Sequence, residues 1–333
     1  MTLARTLVSA AALLAAAATA QAQGAGPAVI FDLGGKFDRS FNQASFEGAE
    51  RFREETGVAY REFELQSDAQ REQALRRFAE QGHDPVVVAG FSNASAMQTV
   101  AAEFPDTNFA IIDMVVDLPN VRSVVFNEHE GSYLVGVLAA MASQTGKVGF
   151  VGGMDIPLIQ KFACGYVQGV KATNPDAEVF QNMTGTTGAA WNDPVRGGEL
   201  AKSQIDRGAD VIYHAAGGTG VGVLQTAADN GVLGIGVDSN QNHLHPGKVL
   251  TSMLKRVDNA VYDAMMDAHN GAFTPGVYVM GLAEDGVGYA LDENNAALIT
   301  DEMKAAAEEA RAKIISGEIT VHDYTTDGSC PVS

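Results

Sequence analysis

The sequence holds 333 residues, 46% of them hydrophobic, with 22 Lys+Arg against 41 Asp+Glu and a formal net charge of -19. That length accommodates two domains with real cores, and that apolar fraction excludes a disordered chain. The negative excess excludes a protein that holds nucleic-acid polymers by counterion release, and an anionic membrane surface would repel it.

Residues 1–22 read as a Sec-type signal peptide. Arg5 gives a positive start, Leu7–Ala18 a short apolar run, and Ala18-Thr19-Ala20 and Ala20-Gln21-Ala22 overlapping small-x-small cleavage sites. The run is too short for a transmembrane anchor. No cysteine stands at the cleavage site, so a periplasmic protein without a lipid anchor is expected.

From Ala28 on, short apolar runs alternate with amphipathic stretches. Ala28–Leu33, Tyr60–Leu65, Pro85–Ala89, Phe109–Asp113 and Val121–Phe126 read as strands, separated by helices at Ser40–Glu55, Asp68–Gln81 and Ala94–Glu103. After a helix at Glu130–Ser143 the pattern restarts. Strands are predicted at Val148–Val151, Glu178–Met183, Val211–His214 and Leu233–Val237, with helices at Ile156–Thr173, Pro194–Arg207 and Val221–Asn230. Fully apolar strands between helices indicate parallel sheets covered on both faces, and two series indicate two doubly wound α/β lobes. The last third adds a strand at Val249–Leu254, a helix at Asp258–His269, an irregular β-rich segment and a long helix near Asp292–Ser316. These fragments are too small for a third core, so they are expected to complete the two lobes across a multi-stranded hinge.

Ligands of open α/β sheets bind beyond the carboxyl ends of the strands. Asp32, Asp113 and Asp238 each stand at such an end, and each alone is equally readable as a turn residue. The loop after Asp32 carries Gly34, Gly35, Phe37 and Asn42, with Ser40 as helix N-cap. Gly217, Gly218, Thr219 and Gly220 join a strand to a helix without spelling a dinucleotide fingerprint, although a carboxylate such as Asp238 suits a ribose diol. Trp191, the only tryptophan, precedes the helix opened by Asp193-Pro194, where it can pack in a core or stack on a planar ligand. Lys255 follows a strand and could neutralise an aspartate or donate to hydroxyls. Glu128-His129-Glu130 and His243-Leu244-His245 read as polar turns, with no third metal ligand at suitable spacing. No catalytic motif is present, and no metal or cofactor is expected. Cys164 and Cys330 permit a disulfide; one buried and one exposed thiol is the alternative.

Six segments in order resemble the basic membrane protein family of ABC-importer substrate-binding proteins. They are Asp32-Leu33-Gly34-Gly35 with Asp38-Arg39-Ser40-Phe41-Asn42-Gln43, Asn127–Ser132, Val148–Met154 with Ile156-Pro157, Ala215–Gly220, Ile235–Asp238 and Thr251–Asp258. The best understood branch of that family resembles the purine nucleoside receptors. The resemblance implies a type I periplasmic-binding fold with a three-crossover hinge. It places residues 24–127 and about 255–275 in lobe 1, and residues 128–250 and about 276–333 in lobe 2. It further implies a nucleoside, with purine as the expected base, delivered by a monomer to a membrane permease. By family pattern Asp238 and Lys255 would grip the ribose beside Gly217–Gly220. Asp32, Asn42 and Asp113 would read the base, and Trp191 would stack on it. Where nucleoside receptors tend to carry an aromatic in the first loop this sequence has Lys36, which leaves Phe37 as the candidate there. A sugar-binding protein and an exported nucleoside hydrolase remain the alternative readings.

Overall fold

The computed structural model describes residues 25–332, so the signal-peptide reading falls outside the described residues. The first series comprises β1 (Ala28–Phe31), α1 (Phe41–Thr56), β2 (Arg61–Glu64), α2 (Arg71–Glu80), β3 (Val86–Val88), α3 (Ala94–Glu103), β4 (Phe109–Ile112) and β5 (Val121–Phe126). The second comprises α4 (Glu128–Ala142), β6 (Lys147–Met154), α5 (Pro157–Thr173), β7 (Glu178–Gly185), α6 (Pro194–Asp206), β8 (Val211–Ala215), α7 (Thr219–Asp229), β9 (Leu233–Asp238) and β10 (Val249–Lys255). There follow α8 (Val257–His269), β11 (Gly276–Met280), β12 (Val287–Tyr289) and α9 (Asp301–Ile315). Among the described residues no helix is long and apolar enough to cross a membrane.

Two six-stranded sheets result. The first runs β11-β5-β4-β3-β1-β2 with all neighbours parallel; the second runs β12-β10-β9-β8-β6-β7, parallel except for β12. The apolar strands follow from burial on both faces. In β1, Val29 and Phe31 join a core with Ala49 and Phe52 of α1 and Val261 of α8, whereas Ala28 and Ile30 join Leu75, Met97 and Val100 of α2 and α3. All four β1 side chains are fully buried, the Val and Ile each contributing about 1.5–3 kcal/mol. In the second lobe Phe150 and Tyr213 pack toward α4 and α5, and Val151 and Ile212 toward Leu200 of α6 and Val223 of α7. Helices α4 and α5 touch almost backbone to backbone, because a Cβ on Gly169 would lie 2.1 Å from the Tyr133 carbonyl oxygen.

Among the described residues the chain passes between the sheets three times: at Asn127, at Arg256, and at Gly281–Gly286. These crossings are tied together. Asn127 N donates to Met280 O (3.1 Å), Arg256 N to Gly286 O (2.8 Å), and Leu282 N to the Glu130 carboxylate (2.8 Å).

Two expectations need correction. Strand β11 pairs with β5 in the first sheet, so Gly276–Met280 belongs to lobe 1 and not to lobe 2. Its Val-Tyr-Val core is a sheet edge, and the chain crosses only after it. The long helix at Asp292–Ser316 is shorter, beginning at Asp301 with the Thr300 hydroxyl accepting from Met303 N. Residues before it form turns because the buried Asn295 amide donates to Leu250 O and Ala290 O. Cys164 on α5 and Cys330 form a disulfide with Cα atoms 5.6 Å apart. The tail is also clasped to α5 by Gln168, which donates to His322 O (3.0 Å) and accepts from His322 N (2.8 Å).

Candidate ligand-binding cleft

The carboxyl ends of β1, β3 and β4 in one lobe face those of β8, β9 and β10 in the other. Between them lies a cleft of about 600 Å³, its open mouth included. Asp32, Asp38, Phe41, Asn42, Phe91 and Asp113 line it from lobe 1. Leu158, Phe162, Trp191, Gly217, Asp238 and Lys255 line it from lobe 2.

Asp113 and Asp238 directly follow or close their strands, and both hold left-handed backbone, with φ of 72° and 62°. That conformation costs a non-glycine residue about 1 kcal/mol, less for Asp, and such strain concentrates at functional sites. It turns both carboxylates into the cleft. Lys255 Nζ, 2% exposed, lies 2.6 Å from Asp113 Oδ1 and 3.0 Å from Glu128 Oε1, which makes an ion pair across the lobes. Burial lifts the Asp113 carboxyl to about 6 although Lys255 pulls it down, and burial likewise raises Asp238. Asp238 accepts the hydroxyl of Ser40 from the opposite lobe. Gln241 Nε2 donates to Arg39 O (2.9 Å) and Ser239 Oγ to Ser40 O (2.8 Å), so the lobes are latched at this rim.

Asp38 caps α1 by accepting from the backbone amides of Ser40, Asn42 and Gln43. Its carboxyl is nonetheless pushed up to about 7 by burial. Asp32 accepts from Arg71 Nη1 (2.6 Å) and from Leu33 N, and burial outweighs Arg71 in raising its pKa. Trp191 ends a short 3₁₀ turn, Gly188–Trp191, fixed by Thr219, whose hydroxyl donates to Ala190 O (2.8 Å) and accepts from Asp193 N (2.7 Å). The indole lies against Gly153 at the end of β6, where a Cβ would sit 2.3 Å from its Cζ3. The cleft therefore combines buried carboxylates around one ammonium with an aromatic wall. It can accept hydrogen bonds from hydroxyl and amine groups and cover a planar ring.

Of the predicted site residues, Asp32, Asn42, Asp113, Trp191, Gly217, Asp238 and Lys255 all border this cleft. Phe37 does not. Its ring is 60% exposed, packed on Phe46 and beneath the Lys36 ammonium, which pairs with Glu62. Gly218 and Thr219 stand behind the lining and shape the Trp191 loop rather than facing the cavity. Asn42 borders the cleft, yet its amide is spent on loop backbone: Oδ1 accepts from Asp32 N, and Nδ2 donates to Asp32 O and Gly35 O. Sequence reasoning missed Arg71, Phe91 and Phe162, none of which carries a local signal, and read Glu128 as part of a polar turn, although it opens α4 as a buried residue within the Asn127–Ser132 segment. Asp38 and Phe41 stood within a quoted motif and could have been found by their place at the helix start. Among the described residues no three His, Cys, Asp or Glu side chains group as metal ligands.

Comparison with known proteins gives a consistent result. A family model described as "ABC transporter substrate-binding protein PnrA-like" matches residues 27–325. The ABC transporter nucleoside-binding protein BmpA of Lactococcus lactis subsp. cremoris is 35% identical over 318 residues, covering 88% of each chain. An uncharacterized lipoprotein of Pyrococcus abyssi is 35% identical over 278 residues, 79% of this chain and 68% of that one. The crystal structure of an ABC transporter system solute-binding protein from Aeropyrum pernix K1 superposes with a TM-score of 0.82 at 31% identity, covering 90% of this chain and 93% of that one. The two-lobed α/β architecture is thus the periplasmic-binding-protein fold.

Proposed function

The chain belongs to the PnrA-like family of ABC transporter substrate-binding proteins, an extracytoplasmic family, and from that premise we propose that it binds a purine nucleoside in the interlobe cleft. One observation carries this reading: the cleft sets a buried cluster of hydrogen-bond acceptors, Asp113, Asp238 and Asp32, beside the aromatic wall of Trp191, Phe41 and Phe91. Asp238 and Lys255 take the ribose hydroxyls, Asp32 and Asp113 the polar edge of the base, and Trp191 covers its face. The same carboxylates repel phosphate, so nucleotides bind weakly. Ligand bridging the lobes stabilises the closed state, and that state docks on an importer permease. The protein carries its ligand without chemistry and without a cofactor, as a monomer exported by residues 1–22.

Mass spectrometry of the small molecules released on denaturing freshly purified protein tests the reading, together with calorimetry using inosine and its 5′-monophosphate. A purine nucleoside released, with inosine bound far more tightly than the monophosphate, is expected. Equal affinity for the monophosphate overturns the carboxylate assignment, a released sugar replaces the ligand class, and free hypoxanthine after incubation with inosine makes the chain a hydrolase. Recovery in the osmotic-shock or membrane fraction, rather than in the cytoplasm, tests the export.

A further inference from the structure

A row of five alternating charges runs from the cleft to the C-terminal tail. Lys255 Nζ lies 2.6 Å from Asp113 Oδ1 and 3.0 Å from Glu128 Oε1. Lys161 Nζ then lies 3.1 Å from Glu128 Oε2 and 3.3 Å from Asp323 Oδ2. Lys161 also donates to the carbonyl of Phe126 (2.7 Å), the last residue of β5 and the one before the first crossing. Glu128 does not border the ligand cleft, yet its side chain is 1% exposed and each of its carboxylate oxygens has an ammonium within ion-pairing distance.

We infer that Glu128 is a positioning residue for Lys255, and that Lys161 and Asp323 extend this hold to the C-terminal tail, making the tail a working part of the ligand site. The inference rests on the cleft being the ligand site proposed above. Its physical basis is the flexibility of lysine, whose ammonium sits on a four-carbon stem and has no direction of its own. Asp113 belongs to lobe 1, so its grip on Lys255 is lost when the lobes part. Glu128 belongs to lobe 2 with Lys255 and keeps the ammonium aimed at the cleft in the open state. A buried ammonium left without an anion is costly, and so is a buried carboxylate. Lys161 therefore balances Glu128, and Asp323 balances Lys161. Asp323 in turn is held in place because the tail is fixed to α5 by the Cys164–Cys330 disulfide and by Gln168.

Glu128→Gln keeps the shape and removes the charge. Calorimetric affinity for inosine is expected to fall at least about fivefold, and with Asp323→Asn, which does not border the ligand cleft, about two- to threefold. A second readout needs no ligand: carboxyl-carbon NMR titration of Asp113. The groups facing Asp113 are Lys255, which lowers its pKa, and Glu128 and Asp238, which raise it from their own elements. Loss of the Glu128 charge alone would move the Asp113 midpoint to lower pH, whereas displacement of Lys255, whose pull on Asp113 is the larger, moves it to higher pH, which is the expected result. Unchanged affinity in both variants, or lost affinity with an Asp113 midpoint that does not rise, overturns the inference; the latter outcome shows that Lys255 keeps its place without Glu128. If the wild-type protein binds no nucleoside, the proposed function fails, and the ligand-free titration still decides this one. Should Glu128→Gln not fold, Lys161→Met and Asp323→Asn carry the same comparison.

Discussion

Trp191 is the only tryptophan of the chain, and it borders the cleft. Intrinsic fluorescence therefore reports this one position. Gly153→Val would place methyl groups where the indole now lies, and the ring must leave. We expect about a tenfold loss of ligand affinity, the worth of one aromatic contact, with an emission shift in the unliganded protein; unchanged emission would show that the ring does not rest on Gly153. Asp38 gives a prediction of a different kind. Its carboxyl is raised to about 7 by burial, so the folded state holds a proton that the unfolded chain has released. That contribution to stability is present below about pH 4 and is lost as pH rises through about 7. Relative to the wild type, Asp38→Asn should therefore gain stability from pH 5 to pH 8 in urea titrations, and parallel curves would refute the assignment. The aspartates at strand ends were legible because a strand end is a local feature. Their partners were not: Arg71 meets Asp32 across 39 residues and Lys255 meets Asp113 across 142. Phe37 misled because sequence cannot show that Phe46 and Lys36 turn its ring outward.

Helix α5 bears more of the architecture than its amphipathic pattern suggests. It carries Cys164, Lys161 and Gln168 on a stretch whose packing against α4 requires Gly169 to lack a side chain. Gly169→Ala should cost about 1–3 kcal/mol by overpacking two backbones, measured as a lower urea midpoint at constant slope. Replacing both cysteines by serine removes a closure between positions 166 apart. A chain-entropy estimate sets the loss at about 5 kcal/mol at most, and a change below about 1 kcal/mol would mean that the tail is ordered by Gln168 and Lys161 instead. Most elements were readable from period and composition, since apolar parallel strands and their covering helices repeat in a fixed order. The start of helix α9 was not, because the turn before it is held by the Asn295 amide buried under β10, a contact that no local pattern encodes.

At the scale of the whole molecule, the latch at the rim decides how far the lobes stay together without ligand. Ser40→Ala removes a hydrogen bond to the buried Asp238 carboxylate, worth about 1.5–3 kcal/mol in such settings. Small-angle scattering should then show a larger radius of gyration for the unliganded protein and a normal one at saturating ligand. Identical scattering with and without the substitution would show that the latch is not what holds the lobes. The two-lobed plan itself was legible, as two strand-helix series; the assignment of β11 was not, because an edge strand can join either sheet until its partner is known.

The three crossings also bear on how the chain is built. The first sheet lacks its edge strand until residue 280 is available, the second until residue 289, and the disulfide until residue 330. A chain emerging amino terminus first thus cannot finish its first lobe before most of the second has emerged. Neither half can be severed as a contiguous piece with its sheet complete. Maturation is postponed to the end of emergence, and a chain truncated by a few dozen residues would lack the last helix together with the tail cysteine.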